Sequence, residues 1–396
     1  MSDHTSSADD THTSTSDNDT STSDNDTSTS DDGADASVDT TSLESALTDA
    51  LGVAVTGTAV LADGLNLVVT VATPDDERAF VLRKPQKLRD TCLFNPVRTE
   101  FDILQRLQET PVPTQEPVLF CDDDFLLGDS FFVTRFVDGE TVPLGSDLPE
   151  RFRNATSRAA VADQLLQTLS EIHTLDVSRF EDVCIRQPPL AQVECGVERL
   201  DECERVTGRE LPRLRAVGEW LRENAPDDSR TTLVHGDFRP GNVLFGSAVE
   251  PEITAVLDWE TAMLGDPLTE VGYLLLRWRD PDDPTPSLAD LESEYAEDEL
   301  DYLRELNEHG LCPFSADPGS PTRRELVARY EELTGFAYEH DRFYRAHAAF
   351  MLATVWEDLH RCRVAAGEES GFPPLVDYMT LVAEDIVDGA LSLRNR

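Results

Sequence analysis

Basic residues are scarce in this chain, and lysine is almost missing. Lys84 and Lys87 are the only lysines, and every other one of the 33 basic residues is arginine. Against them stand 78 Asp and Glu, giving a formal net charge of -45 over 396 residues. That balance speaks against nucleic acid as a partner, because phosphate binding needs a basic face. It disfavours an anionic membrane surface for the same reason. No run approaches 18 apolar residues, and the N-terminus lacks the apolar core of a signal peptide, so a cytoplasmic protein is expected. Cysteine is sparse and scattered: Cys92, Cys121, Cys184, Cys195, Cys203, Cys312 and Cys362 include no C-x-x-C pair. Neither a disulfide framework nor a zinc site is suggested, and free thiols in a reducing compartment are predicted. The motifs G-x-S-x-G and H-E-x-x-H are absent, which leaves hydrolase and zincin chemistry without support.

What the chain has in excess is carboxylate. These groups repel one another at low ionic strength, whereas at molar salt the Debye length shrinks to about 3 Å. The composition is that of a salt-adapted protein. Eleven of the aspartates fall in residues 1–40, a block without Lys or Arg in which Ser-Thr-Ser-Asp-Asn-Asp-Thr begins at Ser14, repeats at Ser21 and starts again at Ser28. With almost nothing apolar to bury, this segment is expected to be a disordered, solvating tail.

Beyond it, Leu43, Leu47 and Leu51 recur at helical spacing, with Gly52 as a C-cap. Extended runs follow at 65–72 and 80–84, then a helix after Pro96 and strands at 118–121 and 131–136. After Asp138-Gly139 the pattern turns helical, with short β segments at 232–235, 243–245 and 253–258. The acidic, Pro-flanked stretch 280–321 is expected to be a surface insertion. The prediction is an α+β, two-lobed layout: a small β-rich lobe over 41–138 and a larger, mostly helical lobe over 139–396.

One stretch carries chemistry: Val234-His235-Gly236-Asp237-Phe238-Arg239-Pro240-Gly241-Asn242, followed by Leu257-Asp258-Trp259-Glu260. Strand ends would hold Asp237, Asn242 and Asp258 around one point. An amide oxygen and a carboxylate are hard ligands suited to Mg²⁺, which takes one or two protein oxygens plus nucleotide phosphates. A second carboxylate beside that metal is placed to orient a hydroxyl and accept its proton.

Together with Leu264-Gly265-Asp266-Pro267-Leu268, these residues resemble the aminoglycoside phosphotransferase and choline-kinase superfamily, whose loop reads H-G-D-x-x-x-x-N. The resemblance spans roughly 42–390 and implies a protein-kinase-like bilobal fold, with ATP and Mg²⁺ as cofactors. It implies Asp237 as catalytic base and Asn242 and Asp258 as Mg²⁺ ligands. His235 would orient the loop, and Asp266 would cap a helix and brace the loop. It also implies a basic residue on the third strand, held by a helical Glu, at the nucleotide phosphates. The helical Glu is Glu100, and the basic candidates are Arg83 and Lys84. Strand alternation puts Val81 with Arg83 on one face and Phe80, Leu82 and Lys84 on the other, and both candidates stay open. Ala62-Asp63-Gly64-Leu65-Asn66 sits where a phosphate-covering loop belongs. The segment Phe132–Glu140, with Arg135 and Val137, resembles the adenine-binding hinge. His173 reads as a packed helix-end histidine, and Phe343–His360 as helical core.

Leu-Asp-Trp-Glu-x-x-x-Leu-Gly-Asp-Pro-Leu and Val-Leu-Arg-Lys-Pro look most like the phosphotransferase branch found fused to acyl-CoA dehydrogenases. That likeness implies a small-molecule hydroxyl as acceptor, such as that of a hydroxyacyl-CoA. Aminoglycoside or choline kinase activity and a non-catalytic nucleotide-binding module are the alternatives. A protein kinase is disfavoured by His-Gly-Asp and by Trp-Glu after Asp258.

Overall fold

The computed structural model describes residues 40–87, 91–122, 124–246, 248–281, 283–391 and 393. The acidic tail expected over 1–40 lies outside the described residues but for Thr40. The N-terminal lobe comprises α1 (Thr40–Leu51), β1 (Gly57–Asp63), β2 (Asn66–Thr73), β3 (Asp76–Pro85), α2 (Val97–Leu107), β4 (Pro117–Cys121), α3 (Asp124–Leu127) and β5 (Phe131–Arg135). Its five strands form one antiparallel sheet in the order β1-β2-β3-β5-β4. Leu43 and Leu47 of α1 pack on Leu67, Val69, Val71, Phe80, Leu82, Phe131 and Val133, the odd or even positions of each strand that share one face. The opposite face of β3, with Val81 and Arg83, is left to the cleft.

The C-terminal lobe begins with α4 (Ala155–His173), β6 (Arg186–Gln187), α5 (Pro189–Thr207) and α6 (Pro212–Asn224). Four short strands follow, β7 (Thr232–Val234), β8 (Val243–Phe245), β9 (Ile253–Val256) and β10 (Met263–Gly265). The helices α7 (Pro267–Arg277), α8 (Glu297–His309), α9 (Arg323–Thr334), α10 (Asp341–Ala366) and α11 (Pro373–Val387) complete it. β8 and β9 form a hairpin, and β10 joins β6 and β7 in a small sheet, so the short strands carry the segments around Asp237 and Asp258. Gly272 is where α7 meets α10: a Cβ there would lie 2.6 Å from the backbone of Tyr344, so only glycine permits this approach.

Two expectations need correction, and one strand was not anticipated. Cys92 and Cys195 form a disulfide, with Cα atoms 6.1 Å apart, so the thiols are not all free. The bond ties the connection before α2 to α5, a proximity that sequence spacing does not reveal. The stretch 280–321 is not a surface insertion: Leu288, Leu291, Leu300, Leu303, Leu306 and Leu311 are buried in the helical core. Its charges lie on the outer faces, as at Glu297 and Asp301 around Arg304. β1 was missed because it is an edge strand without apolar alternation, with Val60 59% exposed.

Candidate active site

The turn after β7 is set by glycine and a buried carboxylate. Gly236 has φ +87°, and a Cβ there would sit 2.5 Å from the Thr261 carbonyl oxygen. Glu270, on the first turn of α7 and fully buried, accepts from the backbone N–H groups of His235 (3.1 Å), Gly236 (2.7 Å) and Phe238 (3.3 Å). Its Oε2 also meets His173 Nε2 at 3.0 Å, while His173 Nδ1 meets Tyr330 Oη at 2.8 Å. Burial would raise the Glu270 pKa, but these donors hold it below the usual range. Glu270, rather than Asp266, therefore braces the loop. Asp266 caps α7 by accepting from Leu268 N–H at 2.9 Å and receives the Tyr344 hydroxyl at 3.0 Å. His235 Nε2 meets the Leu257 carbonyl at 2.7 Å and its Nδ1 accepts from Asp237 N–H at 3.2 Å, so the ring links the two motif segments.

This frame presents Asp237 to the cleft. Its Oδ1 accepts from Tyr273 at 2.6 Å, and its Oδ2 from Asn242 Nδ2 at 2.7 Å and Arg239 Nε at 3.2 Å. Arg277 in turn donates to the Tyr273 hydroxyl. Burial pushes the Asp237 pKa up, yet Arg239, Arg277 and the Tyr273 hydrogen bond hold it below the usual carboxylate range. Asp237 is thus an oriented carboxylate at neutral pH. Arg239, Tyr273 and Arg277 were not picked out in the sequence, although Arg239 lies two residues after Asp237 and the other two share a helix face at i, i+4.

Asp258 follows β9 in the left-handed region, at φ 63°, which a short carboxylate side chain tolerates. The structure places Arg83 against it. The guanidinium contacts Asp258, Glu260 at 2.7 Å and Glu100 of α2 at 3.3 Å. Lys84, on the α1 face of β3, donates to the Leu127 carbonyl at 2.9 Å, away from the cleft. Glu260, also unrecognised in the sequence, accepts from Asn66 Nδ2 at 3.1 Å, which draws the β1–β2 turn down over this cluster.

Arg135 and Val137 are not brought to the cluster. Arg135 shares its side of β5 with Phe131 and Val133, the α1 side, and ion-pairs with Glu116 at 2.8 Å. Val137 lies beyond the strand, half-buried.

For a divalent cation the donor set is suitable. Asn242 donates its amide N–H groups to the Asp237 carbonyl (2.9 Å) and carboxylate, so its amide oxygen is left as the acceptor. With the Asp258 carboxylate this makes two protein oxygens, the number Mg²⁺ takes when phosphates supply the rest. Among the described residues no cluster of three or more His, Cys, Asp or Glu offers a closed metal site.

Asp237, Asp258 and Arg83 line one cavity of about 490 Å³. From the loop that carries Asp237 it extends along α10, past His347, Met351, Val355 and Leu359. A bilobal fold with this arrangement in its cleft defines a kinase-like phosphotransferase. The chain belongs to the phosphotransferase enzyme family, whose model matches residues 56–306. Acyl-CoA dehydrogenase family member 11 of Homo sapiens is 27% identical over 208 residues, covering 50% of this chain and 25% of that protein. Family member 10 of Mus musculus is 29% identical over 298 residues, covering 74% of this chain and 25% of its own length. The chain thus spans about a quarter of the curated relatives it matches. Among solved structures, a candidate aminoglycoside phosphotransferase from Ralstonia eutropha aligns with TM-score 0.64 at 21% identity, over 88% of this chain and 98% of that one. Choline kinase LicA from Streptococcus pneumoniae aligns with TM-score 0.54 at 14% identity, over the same shares. These likenesses show the protein-kinase-like fold. No helix among the described residues is long and apolar enough to cross a membrane.

Proposed function

We propose that this phosphotransferase moves the γ-phosphoryl group of ATP to a hydroxyl of a small, partly aliphatic metabolite, a hydroxyacyl-CoA or a similar molecule. The observation that carries the reading is the shared cavity: Asp237 and Asp258 line one end of it, with Asn242 bonded to the Asp237 carboxylate, and the α10 wall beyond them is largely apolar. An aliphatic chain suits that wall, whereas a polycationic aminoglycoside does not. Asp237 orients the acceptor hydroxyl and takes its proton as the new P–O bond forms and the bond to the bridging oxygen of ADP breaks. Bound at Asn242 and Asp258, Mg²⁺ would supply charge neutralisation at the phosphates. Arg83 is held within reach of the same phosphates by Glu100, and the Asn66 turn covers them.

The acidic composition supports a salt-adapted, cytoplasmic protein with neither nucleic acid nor membrane as partner. ADP release with Mg-ATP in molar KCl, across hydroxyacyl-CoAs, hydroxy acids, choline, sugars and aminoglycosides, tests the reading. Acceptor-dependent ADP from the hydroxyacyl class is expected. Turnover of choline or aminoglycosides alone would refute the acceptor class, and ATP binding without any turnover would point to a non-catalytic module.

A further inference from the structure

Among the α10 residues that line the cavity, one stripe is formed by His347, Met351, Val355 and Leu359 at four-residue intervals and then Arg363. From His347 to Arg363 the stripe is about 24 Å long. Leu93, Phe94, Leu144 and Phe372 contribute further apolar wall. Within the stripe His347 is the only polar side chain before Arg363.

His347 is 3% exposed, and its ring stacks on Phe343 with centroids 5.9 Å apart. Both ring nitrogens are buried, and neither has a hydrogen-bond partner among the described residues. The other two buried histidines among the described residues differ, because His173 and His235 each engage both nitrogens. A buried imidazole with an orphan donor and an orphan acceptor is destabilising. Packing against Phe343 would be served as well by an apolar ring. A polar group without a structural partner, in the wall of the cavity that holds Asp237, is one a ligand would satisfy. Burial also pushes the His347 pKa down to about 4. The ring is therefore neutral at pH 7, with one N–H and one bare nitrogen, and matches an uncharged oxygen better than an ion.

We propose that His347 is a specificity-determining residue that hydrogen-bonds a second uncharged oxygen of the acceptor, a carbonyl or hydroxyl other than the one phosphorylated, on a chain lying along α10. The proposal rests on the phosphotransferase reading for the hydroxyl that reacts.

Two variants test it in molar KCl. His347→Phe keeps a ring against Phe343 and removes both nitrogens, whereas His347→Gln keeps a donor and an acceptor. Calorimetric binding is compared for methyl 3-hydroxyoctanoate and for 2-octanol, which has the chain and a hydroxyl but no carbonyl. The wild type is expected to prefer the ester by about ten-fold, roughly the upper worth of a neutral hydrogen bond. His347→Phe should abolish that preference, leave 2-octanol binding unchanged and show an equal or higher Tm, and His347→Gln should restore part of the preference. An ester preference that survives His347→Phe, an equal weakening of both ligands, or a wild type that binds neither would overturn the proposal. ADP release with the ester separates the two readings. Discriminating binding without phosphorylation would refute the kinase reading and support the role of His347. Phosphorylation with an unchanged KM in His347→Phe would do the reverse.

Discussion

Arg83 and Asp258, 175 residues apart in sequence, form an ion pair that joins the N-lobe sheet to the end of β9. Glu100 and Glu260 flank the same guanidinium, so three carboxylates surround one cation. A divalent cation at Asp258 would compete with Arg83 for this carboxylate. Arg83 would then be released from Asp258 toward the phosphates.

Arg83→Ala is expected to lower kcat/KM for ATP by about 100-fold, the scale of losing one charge-stabilising donor. Arg83→Lys should recover only part, because one ammonium cannot reproduce the guanidinium's three contacts. Lys84→Ala should leave the KM for ATP within roughly two-fold and reduce stability by about 1 kcal/mol, the worth of one hydrogen bond. Steady-state kinetics with ATP varied separate the two residues.

Asp237→Asn keeps the shape but removes the carboxylate that Tyr273, Asn242 and Arg239 hold in place. A loss of about 10²–10⁴ in kcat is expected, with ATP affinity little changed. Single-turnover measurements beside nucleotide titrations would check it, and an undiminished kcat would remove Asp237 from the role of base.

Glu270 makes a pH prediction. Its folded-state pKa lies below the unfolded value of about 4.3. Its contribution to stability is therefore complete above that value and is lost as pH falls through the folded pKa, where the native carboxylate takes up its proton. Glu270→Gln should flatten the acid limb of the stability curve, and Glu270→Ala should cost about 3–5 kcal/mol by leaving three backbone donors and His173 without their acceptor. Denaturant titrations between pH 3 and 7 read both effects.

Reducing the Cys92–Cys195 bond, or replacing Cys92 by Ser, should lower stability by about 2–4 kcal/mol, since the bond closes a loop of 103 residues. Melting curves with and without dithiothreitol in molar KCl would show it. An unchanged Tm would mean that the bond adds little to the native state.

Dilution from molar KCl into about 50 mM salt should unfold the protein, because self-repulsion within a net charge of -45 is then poorly screened. Circular dichroism across a salt series tests this, and a flat Tm would refute salt adaptation.

The lobes and the loop were legible in the sequence because their signals are local. Alternation in β2 and β3 separated Arg83 from Lys84 by face, and H-G-D-x-x-x-x-N with the later Leu-Asp-Trp-Glu marked the polar residues that the structure brings together. Other features depend on partners far along the chain, and spacing does not encode them. Sequence left Arg83 and Lys84 open because it fixes which residues share a face but not which face meets α2. It credited the loop brace to Asp266, whereas one further helical turn carries Glu270 inward beneath three backbone donors. It took 280–321 for surface because acidic residues outnumber its leucines, although those leucines fill the helical core. The Cys92–Cys195 bond and the unsatisfied His347 are likewise facts of packing. Composition and motif determined the chemical class and the ionic surface, while tertiary contact decided which charges meet, which carboxylate supports the loop and what the cavity beside Asp237 presents.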